Sequence, residues 1–148
     1  KSYFAPGEKF ITCNADILTD LDLYKLVLFH ELYRPVISFA VTSRKTSRYL
    51  LFDKNNRFCG WRNKKTGEEK IPLYKPSLVE KAYSCVVIFE YEIFKLIQEK
   101  GFTGKFSLID IYLALAAEFR ILGYDHTGDR FADVGKPKSV AIAESIFP

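Results

Sequence analysis

"FITCNADILTDLDL", residues 10–23, carries a mostly apolar run into Asn14-Ala15-Asp16 and then almost at once into a helix start. From Ile11 to Leu18 the apolar residues do not alternate cleanly with polar ones, which is the pattern of a strand covered on both faces. Thr19 or Asp20 can cap the helix that follows. Leu21, Leu23, Leu26, Val27 and Phe29 give that helix a mainly apolar face up to about Tyr33, and Pro35 ends it. "PVISFAVTS", residues 35–43, is a second β-rich buried run. Strand, helix and strand in so short a span predict a βαβ unit with a right-handed, parallel connection.

Downstream the texture changes. "RYLLFDKNNRFCGWRN", residues 48–63, holds two short apolar runs around Lys54-Asn55-Asn56 and reads as an antiparallel hairpin with an Asn-rich turn. A charged loop containing Gly67, Pro72 and Pro76 leads to "AYSCVVIFE", a buried strand. Two helices are expected next. One covers Tyr91 to Lys100 and stops at Gly101; the other covers Leu108 to Arg120, opened by Ser107 with Asp110 in a capping box. A short strand at Ile121 to Tyr124, the segment "FADVG" and a helix entered through Pro137 complete the chain.

The 148 residues suit one domain, 1–148, with its own core. Hydrophobic residues make up 48% and charged residues 27%, a balance that excludes disorder. No apolar run approaches membrane-spanning length and the N-terminus has no signal-peptide pattern, so a cytoplasmic protein without membrane partners is expected. Cys13, Cys59 and Cys85 lie inside apolar runs, far apart and odd in number, as free buried cysteines rather than disulfide or zinc ligands. The net charge of +4 is spread among acidic residues, which fits phosphorylated ligands better than nucleic acid. The chain opens at Lys1, has no methionine, and reaches a buried-type strand within ten residues; a part of a longer protein is expected.

In open α/β sheets ligands bind beyond the carboxyl ends of strands, where Asp16 lies. Asp133, in "DRFADVGKP", occupies a similar junction before the last helix. Each carboxylate can hold Mg²⁺, a hard cation that takes one or two protein oxygens, and each can equally serve as an N-cap or Asx turn. His30, late in a helix, reads as an exposed residue favoured by the helix dipole, and His126 as an ordinary loop residue.

Taken together, "FITCNADILTDLDL", "VISFAVTSRKTSRYLLFD", "CGWRN" and "GYDHTGDRFADVGKPKSVAIAE" resemble the sugar-1-phosphate nucleotidyltransferases. The resemblance is to the bacterial branch of mannose-1-phosphate guanylyltransferases and N-acetylmuramate-1-phosphate uridylyltransferases. It implies a Rossmann-like fold with a mixed, mainly parallel sheet, here without the N-terminal nucleotide-binding strands. It also implies transfer of a nucleotidyl group from a nucleoside triphosphate to a sugar 1-phosphate, with Mg²⁺ held by Asp16 and Asp133 as the catalytic pair. Asn14, Arg48, Trp61, Asn63, Ser84 and Cys85 fall on substrate-lining segments. Cys85 stands where the family has a glycine, and Phe131 where it has tryptophan.

The family's Gly-rich, Lys-containing nucleotide loop has no counterpart among the eight scattered glycines. The chain alone is therefore expected to be inactive, with a non-catalytic sugar-phosphate-binding or regulatory module as the alternative. Loss of the first strands would also leave an open strand edge near Ile11, and self-association through it is expected.

Overall fold

The computed structural model describes residues 3–148, apart from the side chain of Lys138. In chain order the elements are β1 (Lys9–Cys13), β2 (Ile17–Thr19), α1 (Leu23–Tyr33), β3 (Ile37–Thr42), β4 (Arg48–Phe52), β5 (Phe58–Asn63), β6 (Glu69–Lys70), β7 (Val79–Glu90), α2 (Ile93–Glu99), α3 (Leu108–Leu115), β8 (Ile121–Asp125), β9 (Phe131–Asp133) and α4 (Pro137–Ile146). The strand expected over Ile11 to Leu18 is thus two strands. Asn14-Ala15-Asp16 forms a turn, closed by a hydrogen bond from Ile17 N to Asn14 O at 3.2 Å, and Asn and Asp are residues that favour such turns. β1 is covered on one face only: Lys9, Ile11 and Cys13 point outward, so Cys13 is exposed rather than buried.

The main sheet has seven strands in the order β6-β5-β4-β7-β3-β8, with β1 also paired to β7. β7 is its hub. β3 takes one edge of β7, while β4 and β1 share the other, β4 against Val79 to Lys81 and β1 against Val86 to Glu90. β1, β3, β4, β6 and β8 run one way and β5 and β7 the other; among the described strands of this sheet only β3 and β8 are parallel neighbours, so the sheet is mixed as expected, but its pairings are mainly antiparallel instead of mainly parallel. The expected βαβ unit is therefore corrected in one respect: β1 and β3 run in the same direction, with β7 between them and antiparallel to both.

Alternation along the sheet sorts its side chains into two layers. Ile37, Phe39 and Val41 of β3 join Leu50, Phe52, Val87 and Phe89 beneath α2 and α3, where Tyr112 is fully buried. Ala40, Val86 and Ile88 face the opposite side, against Leu21 and Leu26 from the α1 region. Helices thus cover both faces, which is why β3 is buried at all six positions.

The hairpin of β4 and β5 forms as the sequence predicts. Asp53 Oδ1 accepts from the backbone N–H groups of Asn55 at 2.8 Å and Arg57 at 3.0 Å, and Asn56 takes the left-handed conformation at φ 59°. Helix boundaries differ more. α1 is capped by Asp22, whose Oδ1 accepts from Lys25 N at 3.1 Å, because Thr19 and Asp20 are engaged elsewhere. α3 ends at Leu115, and Asp110 sits 3.9 Å from Lys70 Nζ, with Ser107 alone capping Ile109 N.

His30 is the clearest departure from expectation. Leu26 and His30, one helical turn apart, form the buried face of α1, while Tyr24, Leu28 and Leu32 point outward. The imidazole bridges two strands: Nδ1 lies 2.8 Å from Ser38 Oγ on β3, and Nε2 lies 3.0 Å from Glu90 Oε1 on β7.

Burial keeps both His30 and His126 harder to protonate than a free histidine, with carboxylates (Glu90 and Asp129 foremost) pulling the other way. The unfolded chain therefore takes up protons first as pH falls through 6.5, and stability present above that pH is lost below it. Thermal melts at about pH 7.5 and about pH 5.5 should differ by several degrees, the acidic sample melting lower. His30→Gln should shrink that difference; an unchanged difference would contradict the assignment.

Candidate functional site

β2 and β9 form a small antiparallel ribbon apart from the main sheet, in which Ile17 pairs with Asp133 and Thr19 with Phe131. Val134 N donates to Asp16 O at 2.8 Å. This register sets Asp16 and Asp133 side by side, although they come from opposite ends of the chain. Their carboxylates converge on Gly135. A Cβ on that glycine would lie 2.6 Å from Asp16 Oδ2 and 3.2 Å from Asp133 Oδ1, and Gly135 N donates to Asp133 Oδ1 at 3.0 Å.

Asp20 and Arg130 fasten the ribbon. Arg130 donates to Asp20 through its backbone N at 2.6 Å and its Nε at 2.7 Å, and its guanidinium covers the Phe147 ring at 4.8 Å. Thr19 Oγ1 donates to Arg130 O at 3.0 Å. The Arg130 guanidinium holds the Asp20 carboxyl below its ordinary pKa. A one-residue slip would break these bonds and turn Asp133 to the other face.

Beside the carboxylates, β7 departs from regular pairing. Phe39 faces Val87 and Val41 faces Tyr83, so Ser84, Cys85 and Val86 crowd opposite Ala40 in a bulge. Cys85 sits at φ 58°, a left-handed conformation that costs a non-glycine residue about 1–3 kcal/mol. The glycine that the resemblance expects at position 85 would carry no such penalty.

Each bulge residue has its own partner. Arg44 Nη2 donates to Tyr83 O at 2.6 Å, and the Arg44 guanidinium stacks on Phe131 at 4.2 Å. His126 Nε2 lies 2.8 Å from Ser84 Oγ, and Asn14 N donates to Cys85 O at 3.2 Å. Burial pushes the Cys85 thiol up to about 11; Arg44 pulls it down, while Asp133 and Asp16 push it further up. Burial also draws Arg44 below its ordinary pKa, opposed by Cys85 and Asp133. The thiol, the guanidinium and the two carboxylates thus share one electrostatic neighbourhood.

The other expected substrate residues separate into distinct surroundings. Ser84 is fully buried and its hydroxyl lies 2.8 Å from His126 Nε2. Asn63 is a turn residue: its N donates to Glu68 O at 2.8 Å and its Oδ1 accepts from Lys65 N at 3.0 Å. Arg48 and half-buried Trp61 line a cavity of about 190 Å³ with Lys70, Ser107 and Asp110, and no carboxylate-pair residue borders it. A larger cavity of about 890 Å³ lies by His30 and Glu90 and contains none of the expected site residues.

Arg44, His126 and Gly135 were not singled out by sequence reading. Arg44 carried one usable signal, a cation just past the carboxyl end of a buried strand. His126 carried none, since its partner Ser84 is 42 residues away.

The pair suits a hard divalent cation. Two carboxylates facing one point, with no Cβ between them, match the few protein oxygens that Mg²⁺ takes. Among the described residues no cluster of three or more His, Cys, Asp or Glu side chains is placed to hold a metal ion, and no helix is long and apolar enough to cross a membrane.

No family model and no curated protein matches the chain in sequence. Solved structures match its fold. A protein described as a glucose-1-phosphate thymidylyltransferase, from Bacillus anthracis, superposes with a TM-score of 0.72 at 13% identity, over 94% of this chain and 54% of that one. The inositol-1-phosphate CTP transferase from T. maritima gives 0.70 at 14% identity, over 99% of this chain and 58% of its own. A UDP-glucose pyrophosphorylase from Acinetobacter baumanii gives 0.69 at 13%, over 93% and 50%. The chain therefore has a nucleotidyltransferase-like mixed α/β fold and spans about half the length of these structures.

Gly135→Ala tests the convergence directly. Its Cβ would displace Asp16, so Mn²⁺ affinity measured by calorimetry should fall about tenfold or more with the melting temperature little changed. Wild-type affinity in this variant would contradict a shared cation position.

Proposed function

We propose that this chain is the metal- and sugar-binding part of a sugar-1-phosphate nucleotidyltransferase, which converts a nucleoside triphosphate and a sugar 1-phosphate into a nucleoside-diphosphate sugar and pyrophosphate. The observation that carries this reading is the meeting of Asp16 and Asp133 at Gly135. The reaction needs anionic phosphates brought together, and a chain with that task must concentrate positive charge where substrates meet. Mg²⁺ held by the two carboxylates would supply it, neutralising the reacting phosphates.

The chain's own residues do the rest of the work. Asp16 and Asp133 would hold the cation that meets the anionic end of the substrate, and Arg44 adds a fixed guanidinium near Asp133. The bulge at Cys85 bounds the sugar side. The activities for which the structural neighbours are named support the same reaction class. We further propose that nucleotide binding comes from a Gly-rich segment outside these 148 residues.

Pyrophosphate release from Mg²⁺, a panel of nucleoside triphosphates and a panel of sugar 1-phosphates tests the reading, in this chain and in the product of its full coding sequence. Asp16→Ala and Asp133→Ala should each lower the rate of the active form by about 10²-fold or more; unchanged rates would remove the metal assignment. The strained Cys85, in place of glycine, favours a second reading, a sugar-phosphate-binding module without catalysis. Sugar 1-phosphate binding with no turnover in either form would select it.

Among the described residues, β1 pairs only with β7, and its other edge is open. Ile11 is 41% exposed there. The chain by itself should self-associate through this edge. Sedimentation over a concentration series should show species larger than a monomer, and a monomer at every concentration would contradict this.

A further inference from the structure

We propose that Arg44 and His126 are positioning residues that clamp the Tyr83-Ser84-Cys85 bulge and hold Cys85 against the Asp16/Asp133 pair. An L-residue at φ 58° tends to relax toward negative φ. Relaxation here would flatten the bulge, shift the pairing of β7 with β3 and draw Cys85 away from the carboxylates.

The restraint comes from three elements at once. Arg44, just beyond β3, fixes the Tyr83 carbonyl and is itself braced flat against Phe131 of β9. His126, just beyond β8, fixes the Ser84 hydroxyl. Asn14, just beyond β1, fixes the Cys85 carbonyl. Asp129 Oδ2 lies 3.4 Å from His126 Nδ1 without a hydrogen bond, so its charge alone favours a proton on that nitrogen and Nε2 as the acceptor from Ser84.

The buried Ser84 hydroxyl and imidazole have no solvent to turn to, so the contact is costly to break. Arg44 contributes in two ways, because its stack on Phe131 ties the bulge to the strand that carries Asp133. The bulge and the carboxylate ribbon are thereby fixed to each other through one side chain. The clamp rests on the reading above only for the identity of the ligand it faces.

Alkylation of Cys85 reads the clamp without any assay of activity. In a Cys13→Ser background, with Cys59 fully buried, iodoacetamide reports on Cys85 alone. Labelling rates are compared at equal thiolate fraction, taken from the pH dependence of labelling, because loss of Arg44 also makes the Cys85 thiol harder to ionise. On that basis Arg44→Ala and His126→Ala should each raise the rate about tenfold or more, and His126→Gln, whose amide can replace Nε2, should restore the slow rate. Parental rates in both alanine variants would overturn the proposal.

A double-mutant cycle covers the case of an unstable variant. Cys85→Gly holds the left-handed conformation unaided, so the fall in melting temperature caused by His126→Ala should be smaller in that background. Strictly additive falls would also overturn the clamp. Protection of Cys85 from iodoacetamide by glucose 1-phosphate with Mg²⁺ is read separately: its absence would count against the functional reading and leave the labelling result standing.

Discussion

β7 is the constraint on which the other elements depend. It is twelve residues long, it carries β3 along one edge, and it divides the other between β4 and β1. Because β1 and β4 both end before the stretch from Ala82 to Cys85, that edge has a gap in the middle of the sheet. A regular strand would leave an unpaired ladder there. The bulge uses the gap instead, turning Ser84 inward to His126 and Cys85 toward the carboxylates. The irregularity of the sheet and the location of the site are one feature.

Charge is arranged around that feature with little redundancy. Two carboxylates face Gly135, and one guanidinium lies beside them, half-buried and stacked on an aromatic ring. Arginine suits this place better than lysine would, since its planar group can stack and still donate to Tyr83 O. Among the described residues the buried Arg44 Nε has no hydrogen-bond partner, so they do not saturate the guanidinium.

What could be read from the sequence divides along physical lines. Turn and breaker signals were faithful: the Asn-rich segment makes the hairpin turn, Gly101 follows α2, and Pro137 opens α4, whereas the caps expected at Thr19 or Asp20 and at Asp110 were not used. The motifs around Asp16 and Asp133 named the two residues that the ribbon unites. Contacts between distant segments were not legible. His30 looked like an exposed helix-end residue because nothing in its own turn announces Ser38 and Glu90, and the contact of Ser84 with His126 was hidden by their distance along the chain. The apolar run from Ile11 to Leu18 misled for a different reason: Ala15 and Leu18 lengthen it across a turn that Asn14 and Asp16 make.

The ribbon of β2 and β9 also sets an order of assembly. It joins residues such as Asp20 and Arg130, 110 positions apart, through a ladder of three paired residues. Closing so long a loop for so few bonds becomes favourable only once the intervening sheet has formed. The carboxylate pair is therefore expected to be completed after the main sheet and to open before it. An intact pair thus requires that the β2 and β9 segments, far apart in sequence, have both reached their native places.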